Sequence, residues 1–549
     1  MTFKNKTCFL EDIYNGAFDK EKFDSFELPE REEKTKEIIN KYKEIIKEYN
    51  PVMLEEQEKI PDDLMEKFKK IGIFGLSIPK EYGGQGLSLT QYLLIIEEIS
   101  KFDIALVITP IAHLSIGIKA ILLFANEEQK KKYLTKAATG EMIFAYALTE
   151  AKHGSDAKNI ECKAKLSEDG KYYILNGQKS YITNGNYAGG LTVFAQLPSD
   201  KPGFMGAFIV ETDWDGVKVS KDIPKMGLKI SSTTSIIFKN CKVPVENMIG
   251  APGDGFKIAM SVLNYGRLGL GAASQGMLDQ SFSDMMNRAA SRIQFGKPIN
   301  NFQLIQEKIV KAKLFSEASS AINYFTASLL EKNPGINVSI EGSHCKLYCT
   351  NQAWNILYEA LQLAGGAGYL KTQPYEKRMR DFRVTTVFEG TSEIHTIYPP
   401  LFILRTIQKK FKKSSMIKNY LLMLKEMMKR QAWPLCFKNK KMQQASVCAK
   451  NGAILVRKLL YRGLKKYRRN IVNEEYYLRK ITNLSIYIYI IISLLAKIQK
   501  MRDKKFDIKM ELEALSYFSE KLEILRNEYK NASISKLECI QNSIIKKLL

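Results

Sequence analysis

Five short segments of this 549-residue chain combine glycines with side chains that can transfer protons or bind a ligand. They contain carboxylates, hydroxyls, arginines and aromatic rings, and a glycine pair such as Gly365-Gly366 permits close approach of a backbone to a phosphate. Each polar residue alone is more typical of a helix cap or a turn, so only the set as a whole indicates chemistry. The segments are 146–150 with 153–156, 181–185, 292–298, 362–369, and 380–381 with 388–393.

Several common chemistries lack their motifs. No strand-linked G-x-G-x-x-G, P-loop or G-x-S-x-G is present, so a Rossmann dinucleotide site and a serine-hydrolase triad are unsupported. The eight cysteines form no Cys-x-x-Cys pair and the chain has only four histidines. We therefore expect no metal site, and the scattered cysteines are typical of core residues in a reducing compartment.

The elements that must position these segments change in character along the chain. Residues 30–140 show helical periodicity, short β-rich runs with turn signals follow from Phe144, and long amphipathic helices return at Gly255. The turn signals include 168–170 and Asn176-Gly177. We predict an α+β protein with an N-terminal helical domain, a central antiparallel β-barrel domain, a C-terminal four-helix-type domain and an additional helical region. The predicted segments are an N-terminal extension (1–39), the N-terminal helical domain (40–143), the β-barrel domain (144–254), the C-terminal helical domain (255–405), a basic amphipathic segment (406–470) and the additional helical domain (471–549).

Together, the five segments resemble the acyl-CoA dehydrogenase family, whose flavoenzymes have helical, β-barrel and helical domains in that order. The resemblance covers about residues 40–400. The N-terminal stretch, the segment 469–475 and the C-terminal addition look like the very-long-chain subgroup of that family.

The resemblance implies α,β-dehydrogenation of a long-chain acyl-CoA to the trans-2-enoyl-CoA, the first step of fatty-acid β-oxidation. Glu389 matches the family's catalytic base, which removes the α-proton, and the β-hydride passes to N5 of FAD. A subset of the family places its base where this chain has Gly266, which cannot be one. Glu389 alone would be an ordinary surface-loop carboxylate, and only the surrounding set of motifs favours the catalytic role.

The resemblance also assigns binding roles. The residues expected to contact FAD are Tyr146, Leu148, Thr149, Gly154, Ser155, Tyr181, Thr183, Arg292, Phe295, Gln303, Gln362, Gly365, Gly366, Thr391 and Glu393. The residues expected to contact the substrate are Ser155, Asn264, Tyr265, Arg267 and Gly390. Some of the FAD contacts would cross a subunit boundary, which implies a homodimer.

Two positions depart from the family pattern. Relatives usually have Thr-Glu-Pro where this chain has Thr149-Glu150-Ala151, and loss of the proline is expected to free that loop. Glu393 stands where many relatives have Gln or Asp.

The positive charge is concentrated in one segment. The chain carries a net charge of +24, and between Leu401 and Asn470 it has 20 Lys or Arg against one acid, Glu426. Stretches 421–430 and 453–469 mix these cations with apolar residues at near-helical spacing, which favours peripheral contact with an anionic membrane. A solvated surface and nucleic-acid binding are the alternatives. The longest uncharged apolar run, 481–496, is 16 residues long, shorter than the ~20 needed to span a bilayer.

The family resemblance implies an electron-transferring flavoprotein as partner. The alternatives to a dehydrogenase function for this chain are an acyl-CoA oxidase or a non-catalytic assembly protein on the same fold. The early acids Glu11 and Asp12 argue against a signal or transit peptide, so we expect the cytoplasmic face of a membrane, or the matrix side of a mitochondrial one.

Overall fold

The computed structural model describes residues 7–411, 416–530 and 536–548 of the chain. The chain divides into two compact units, each assembled from segments that are distant in the sequence. The first unit contains Met1–Leu28, Leu314–Tyr348 and Ser392–Leu549, and the second contains Pro29–Lys313 and Cys349–Thr391.

The predicted α+β class is confirmed, because helices and a β-sheet occupy separate parts of the described chain. The helices are numbered in chain order. They are α1 (Phe9–Tyr14), α2 (Lys20–Asp24), α3 (Glu33–Lys47), α4 (Pro51–Gln57), α5 (Asp62–Lys70), α6 (Leu89–Ser100), α7 (Ile104–Ala112), α8 (Lys119–Phe124), α9 (Glu127–Thr139), α10 (Gly255–Ser291), α11 (Gln303–Lys332), α12 (Ser339–Ala364), α13 (Tyr375–Phe382), α14 (Ser392–Phe411), α15 (Met416–Met428), α16 (Lys440–Tyr467), α17 (Glu475–Asp503), α18 (Lys509–Tyr529) and α19 (Lys536–Leu548). A π-helical turn at His113–Gly117 joins α7 to α8.

One eight-stranded sheet forms the β region of the second unit. Its strands are β1 (Ile143–Ala147), β2 (Lys163–Leu166), β3 (Tyr172–Thr183), β4 (Ala188–Gln196), β5 (Met205–Glu211), β6 (Val217–Val219), β7 (Thr233–Pro244) and β8 (Met248–Ile249). The strand order is β6-β7-β3-β2-β4-β5-β8, with β1 paired to β4. Most pairs are antiparallel as predicted, but β1 and β2 each run parallel to β4. A separate hairpin joins β9 (Ile293–Gln294) to β10 (Lys297–Pro298).

The two predicted turn signals have different outcomes. The acidic turn at 168–170 connects β2 and β3, which pair as a hairpin. The prediction of a turn at Asn176-Gly177 is wrong, because both residues lie inside β3 at a break in its register with β7. Gly177 has φ +140°, and a Cβ there would lie 2.7 Å from the Cα of Cys162. The glycine therefore serves a bulge with close backbone approach.

Side-chain caps fix where several helices of the second unit begin. Ser88 and Gln91 form a capping box at the start of α6, and Asn126 and Gln129 form another at α9. Asp103 accepts a hydrogen bond from the amide of Ala105 at the start of α7. These caps satisfy amide groups that the first helical turn leaves without partners.

The core of the first unit lies among α16, α17 and α18. Gly452 of α16 allows close packing, because a Cβ there would meet Ile488 of α17 at 3.0 Å and Leu522 of α18 at 3.2 Å. The short helix α1 is also buried in this unit, and the amide of Leu10 donates to the carboxylate of Glu341 at 2.8 Å. Burial raises the pKa of Glu341 to about 7.

Two stretches have the length and apolar character of a membrane-crossing helix. They are Ile104–Phe124 and Glu475–Asp503, and 83% of the most apolar window in each is buried inside the protein. Such burial is typical of core helices in a folded domain.

Candidate functional site

Glu389 occupies a tight loop between a 3₁₀ turn, Arg383–Thr386, and helix α14. Its φ is +57°, a left-handed conformation that is uncommon for a residue with a side chain, and Gly390 follows with φ +95°. Left-handed residues other than glycine are enriched at functional sites, where the surrounding structure holds them. The side chain of Glu389 is half-buried.

The Glu389 carboxylate lies against the backbone of α10 at Gly266. A Cβ built on Gly266 would come within 2.8 Å of Glu389 Oε2 and within 2.8 Å of Ile116 Cγ2. Any side chain at this position would therefore displace the carboxylate. The sequence identified Gly266 as unable to be a base, and the structure adds that the glycine makes room for Glu389.

Arg267 and Tyr146 also lie near this carboxylate. Arg267 is buried, and its Nη1 donates to Asn264 Oδ1 at 2.9 Å. Tyr146 donates to the carbonyl of Ala259 at 3.3 Å. Burial raises the pKa of Tyr146 well above its ordinary value, the negative charge of Glu389 raises it further, and Arg267 partly offsets both. The structure thus brings three of the predicted residues to one place.

Tyr265 has a cationic neighbour that the sequence did not reveal. Lys119 Nζ lies 4.8 Å from the centre of the Tyr265 ring, a distance at which cation–π attraction operates. Lys119 is buried, which lowers the pKa of its ammonium to about 8. No sequence motif marks it, since its position depends on how α8 meets α10.

The loop after β1 is held by a buried ion pair. Lys179 Nζ donates to Glu150 Oε1 at 2.7 Å and to the carbonyl of Leu148 at 3.0 Å. Burial lowers the pKa of Lys179, and the nearby Glu150 offsets this only in part. Burial alone would raise the pKa of Glu150, but Lys179 and two backbone amides outweigh it, so the pKa lies below its ordinary 4.5.

The remaining part of that loop closes on itself. Glu150 and His153 exchange two backbone hydrogen bonds, of 3.3 and 3.1 Å. These two bonds close the turn that contains Ala151. Gly154 and Ser155 are exposed beyond it, and the carbonyl of Thr149 accepts from the amide of Ser180 at 2.9 Å.

Tyr181 presents an exposed ring beside this loop. It has φ +61° at an irregularity of β3, and its side chain is 60% exposed. Thr183 pairs with Thr233 of β7. The buried Asn184 has φ +68° and donates from Nδ2 to the carbonyl of Thr109 at 3.0 Å, which fixes the end of β3 against α7. An exposed ring on a fixed strand is suited to flank a flat ring system.

A second group of predicted residues lies at the far end of α10. Arg292 ends that helix, Phe295 lies in the β9–β10 hairpin with its side chain 92% exposed, and Gln303 begins α11. Gln362 and the glycines 365 and 366 lie at the end of α12. Arg288 Nη2 donates to the carbonyl of Ala364 at 3.5 Å, which joins the two helix ends.

This second group is open to solvent. Arg292, Gln303, Gln362 and both glycines are exposed, and a Cβ at Gly365 or Gly366 would meet no atom within 4 Å. Thr391 and Glu393 follow Gly390 directly in the chain, the first half-buried and the second exposed.

Three profiles of one family match successive parts of the chain. The acyl-CoA dehydrogenase N-terminal domain matches residues 32–141, the middle domain matches 145–241 and the C-terminal domain matches 253–398. An acyl-CoA dehydrogenase of Bacillus subtilis (strain 168) is 38% identical over 64% of this chain and 92% of its own length.

The chain belongs to the acyl-CoA dehydrogenase family.

Other relatives extend the comparison. A very long-chain specific acyl-CoA dehydrogenase, mitochondrial, from Macaca fascicularis is 38% identical over 68% of this chain, and the match covers 58% of that relative. The chain thus matches little more than half the length of the very long-chain relatives. A crystal structure of an acyl-CoA dehydrogenase complexed with FAD from Bacillus anthracis has a TM-score of 0.81 at 29% identity, covering 96% of this chain and 93% of the other.

The predicted membership of the acyl-CoA dehydrogenase family is therefore confirmed. The matched domains contain every predicted site residue, from Tyr146 to Glu393. Residues 399–549 lie beyond the three profiles, but the structural match to the Bacillus anthracis acyl-CoA dehydrogenase covers nearly the whole chain.

Proposed function

We propose that this protein is an FAD-dependent dehydrogenase of acyl-CoA thioesters, with Glu389 as the base that removes the α-proton. The observation that carries the proposal is the position of the Glu389 carboxylate, held by a left-handed loop against the bare backbone of Gly266. A carboxylate needs such fixed placement because the α-C–H of a thioester is only weakly acidic.

The residues around Glu389 suit this chemistry. The Glu389 side chain is half-buried, so a bound substrate could exclude the remaining water from it. The backbone N–H of Glu389 would hold the thioester oxygen as negative charge develops on it. FAD, when bound, supplies the acceptor for the β-hydride. Tyr181 would flank its ring, while Arg292 and the glycines at 365 and 366 would face its phosphates.

Anaerobic addition of palmitoyl-CoA to the purified protein tests the proposal. We expect a yellow protein whose flavin absorbance near 450 nm is bleached. Rapid re-oxidation by oxygen, with stoichiometric peroxide, would favour an acyl-CoA oxidase instead. A colourless protein that binds no added FAD would favour the non-catalytic assembly protein.

We propose a long acyl chain as the preferred substrate. The side chains of helix α7 support this, because Leu106, Val107 and Ile108 are apolar and buried. Apolar walls bind acyl groups in proportion to the area that they remove from water. Comparison of kcat/KM for butyryl-CoA, octanoyl-CoA and palmitoyl-CoA would measure the preference.

We propose a homodimer, with an electron-transferring flavoprotein as redox partner. The homodimer is supported by exposed apolar side chains around the second group of predicted residues, at 60% for Ile293, 92% for Phe295, 74% for Leu304 and 79% for Tyr369. Apolar surface of this extent is usually covered in a native assembly. The electron-transferring flavoprotein rests on family membership alone.

Replacement of Arg292 by Ala is expected to weaken FAD retention and subunit association together. Alanine offers no donors, so the expected contacts of the Arg292 guanidinium to the cofactor phosphate would be lost. We expect these contacts to lie at the edge of the dimer contact. Flavin content after gel filtration and sedimentation velocity would measure the two effects. Arg288→Ala is the control, since that side chain bonds to the Ala364 carbonyl within the subunit. A stable dimer of Arg292→Ala with stoichiometric FAD would contradict the assignment.

We propose peripheral contact with an anionic membrane, through a smaller part of the basic segment than the sequence indicated. The apolar residues of 453–469 do not face outward, because Ala453, Val456, Leu459, Leu460 and Leu464 are buried in the first unit. The most exposed apolar side chains described in the basic segment are instead on α15, where Leu421 is 60% and Met428 is 77% exposed. We accordingly propose that the protein works at the cytoplasmic face of a membrane or on the mitochondrial matrix side.

Double replacement Leu421→Ser/Met428→Ser is expected to lower partitioning onto phosphatidylglycerol vesicles by roughly tenfold, since two apolar side chains lose their burial in lipid. Val447→Ser is the control, because Val447 is 45% exposed on α16 of the same basic segment. Co-sedimentation with vesicles measures both variants. A protein that ignores vesicles but binds duplex DNA with a steep salt dependence would favour nucleic-acid binding instead.

Truncation of the chain near Leu404 would not give a clean test of membrane contact by the basic segment. Helices α16 to α18 supply the core of the first unit, and Thr482 of α17 donates to the carbonyl of Thr396 of α14 at 2.6 Å. Removing them would expose apolar surface and change vesicle binding for reasons unrelated to the basic charge.

A further inference from the structure

A recess in the first unit lies apart from every residue assigned above. It has a volume of about 460 Å³. Part of its lining starts at Pro434, six residues after the end of α15. Its walls come from the extended segment before α16, from the last turn of α17 and from α2. Cavities of a few hundred Å³ are typical of small-molecule sites.

Three cations converge on this recess from three separate elements. Lys20 belongs to α2, Lys438 precedes α16 and Arg502 belongs to α17. Lys20 is already paired with Asp24 at 2.5 Å, and Asp503 is the one acidic residue in the lining. Lys438 has no ion-pair partner among the residues that the structure describes, and the hydrogen-bonding contact found there for Arg502 is a distant one, 3.9 Å from the sulfur of Met442.

Cations contributed by separate elements suit a phosphate better than a carboxylate. A phosphate group offers oxygens on several sides, and an arginine fork can bind two of them at once. A carboxylate offers two oxygens in one plane. The arrangement therefore favours a phosphate group.

Beside these cations, Asp503 and the polar Gln499, the lining has an apolar part. Pro434, Leu435, Phe437 and Met442 form this part of the wall, and Leu435 and Met442 are buried. Inorganic phosphate would leave this surface uncovered, whereas an organic phosphate with an apolar arm would cover it.

We propose that this recess binds an organic phosphate, with the phosphate between Lys438 and Arg502 and an apolar arm along Phe437. The phosphate is either a soluble phosphate ester or the headgroup of an anionic phospholipid. The proposal does not depend on the flavin chemistry, since no residue near Glu389 takes part in it.

Cys436 provides a reporter, because its free thiol is exposed and lines the recess. Cys539 is the other fully exposed cysteine among the described residues, so the experiment uses the Cys539→Ser protein. An uncharged maleimide labels Cys436, and mass spectrometry of its peptide gives the rate. We expect hexyl phosphate to slow labelling by about fivefold or more at saturation, as an occupied site protects its lining.

Two further probes separate the sources of the phosphate. Protection by hexyl phosphate supports a soluble ester, and protection by phosphatidylglycerol vesicles alone supports a lipid headgroup. Equal protection by inorganic phosphate would overturn the organic assignment. Unchanged labelling with hexyl phosphate and with vesicles would overturn the site itself.

The double variant Lys438→Gln/Arg502→Gln decides whether the two cations are responsible. Both side chains are exposed, so the fold is expected to survive, and flavin content checks this. Its matched control is Lys458→Gln/Lys509→Gln, which removes two exposed cations of the same unit outside the recess. Protection should vanish in the first variant and persist in the second. Protection that persists in the first would refute the proposal.

Discussion

Replacement of Glu389 by Gln is expected to leave the fold and bound FAD intact while flavin reduction by palmitoyl-CoA slows by about 10²- to 10⁴-fold or more. The amide has nearly the shape of the carboxylate, so it can occupy the same space beside Gly266, where a Cβ would lie 2.8 Å from Oε2. It cannot accept the α-proton, however, because an amide is a very weak base. Stopped-flow measurement of flavin absorbance under anaerobic conditions gives the rate.

Glu128→Gln is the matched control. Glu128 is an exposed carboxylate on α9 that has no predicted role in binding or catalysis. We expect its flavin reduction to remain near that of the unaltered protein. If Glu389→Gln reduced its flavin equally fast, another group would have to be the base.

The space beside Gly266 also constrains the position of the Glu389 carboxylate. An alanine there would place its Cβ against both Glu389 and Ile116, so the carboxylate would have to move. A side chain at 266 would therefore displace the carboxylate that we propose as the base.

Local patterns in the sequence were sufficient for most elements of the second unit. The β-rich runs after Phe144 became strands, because alternation and turn residues are local signals that survive folding. The exception is Asn176-Gly177, where the same dipeptide that favours hairpin turns serves a bulge inside β3. Local propensity cannot distinguish these two uses, since the deciding contact is with Cys162, which precedes β2.

The basic segment 401–470 shows that helical periodicity does not predict which surface of a helix is covered. Its helical periodicity identified an apolar stripe in 453–469, but a stripe does not reveal what covers it. In the structure that stripe packs against α17 and α18, which lie later in the chain. The same limit applies to α1, whose burial in the first unit follows from contacts with residues more than 300 positions away.

Buried cations were the least predictable part of the candidate site. Lys119 and Lys179 look like any other lysines in a chain with 83 basic residues. Only the packing shows that one contacts the ring of Tyr265 and that the other is fully enclosed beside Glu150. A lysine is rarely buried without a partner, so these two positions mark constraints that composition and spacing do not encode.

Replacement of Lys179 by Met is expected to destabilise the second unit by about 3–5 kcal/mol, because it leaves a buried carboxylate without its counter-charge. The side chain of Lys179 is 0% exposed and that of Glu150 is 6% exposed, so solvent cannot replace the lost partner. Lys179 also donates to the carbonyl of Leu148, and the next residue, Ser180, donates to Thr149. We therefore expect weaker FAD retention as well as a lower Tm by calorimetry.

The double variant Lys179→Met/Glu150→Gln separates charge from packing. It removes both charges, so it should recover much of the stability that the single variant loses. The carbonyl oxygen of the glutamine can still accept from one of the two backbone amides that bond to Glu150, those of Glu161 and Cys162, whereas its NH2 group cannot accept from the other. No recovery would show that the packing of Lys179, rather than the ion pair, determines the stability of this loop.

The ion pair also predicts a pH dependence. The folded-state pKa of Glu150 lies below its ordinary 4.5, so its contribution to stability is present above that value and is lost as the pH falls below it. The unaltered protein should therefore lose Tm more steeply below pH 4.5 than the double variant, in which no carboxylate remains at 150. Parallel pH profiles of the two proteins would mean that the pKa of Glu150 is the same in the folded and unfolded states, so that its ionisation contributes nothing to the stability of the loop after β1.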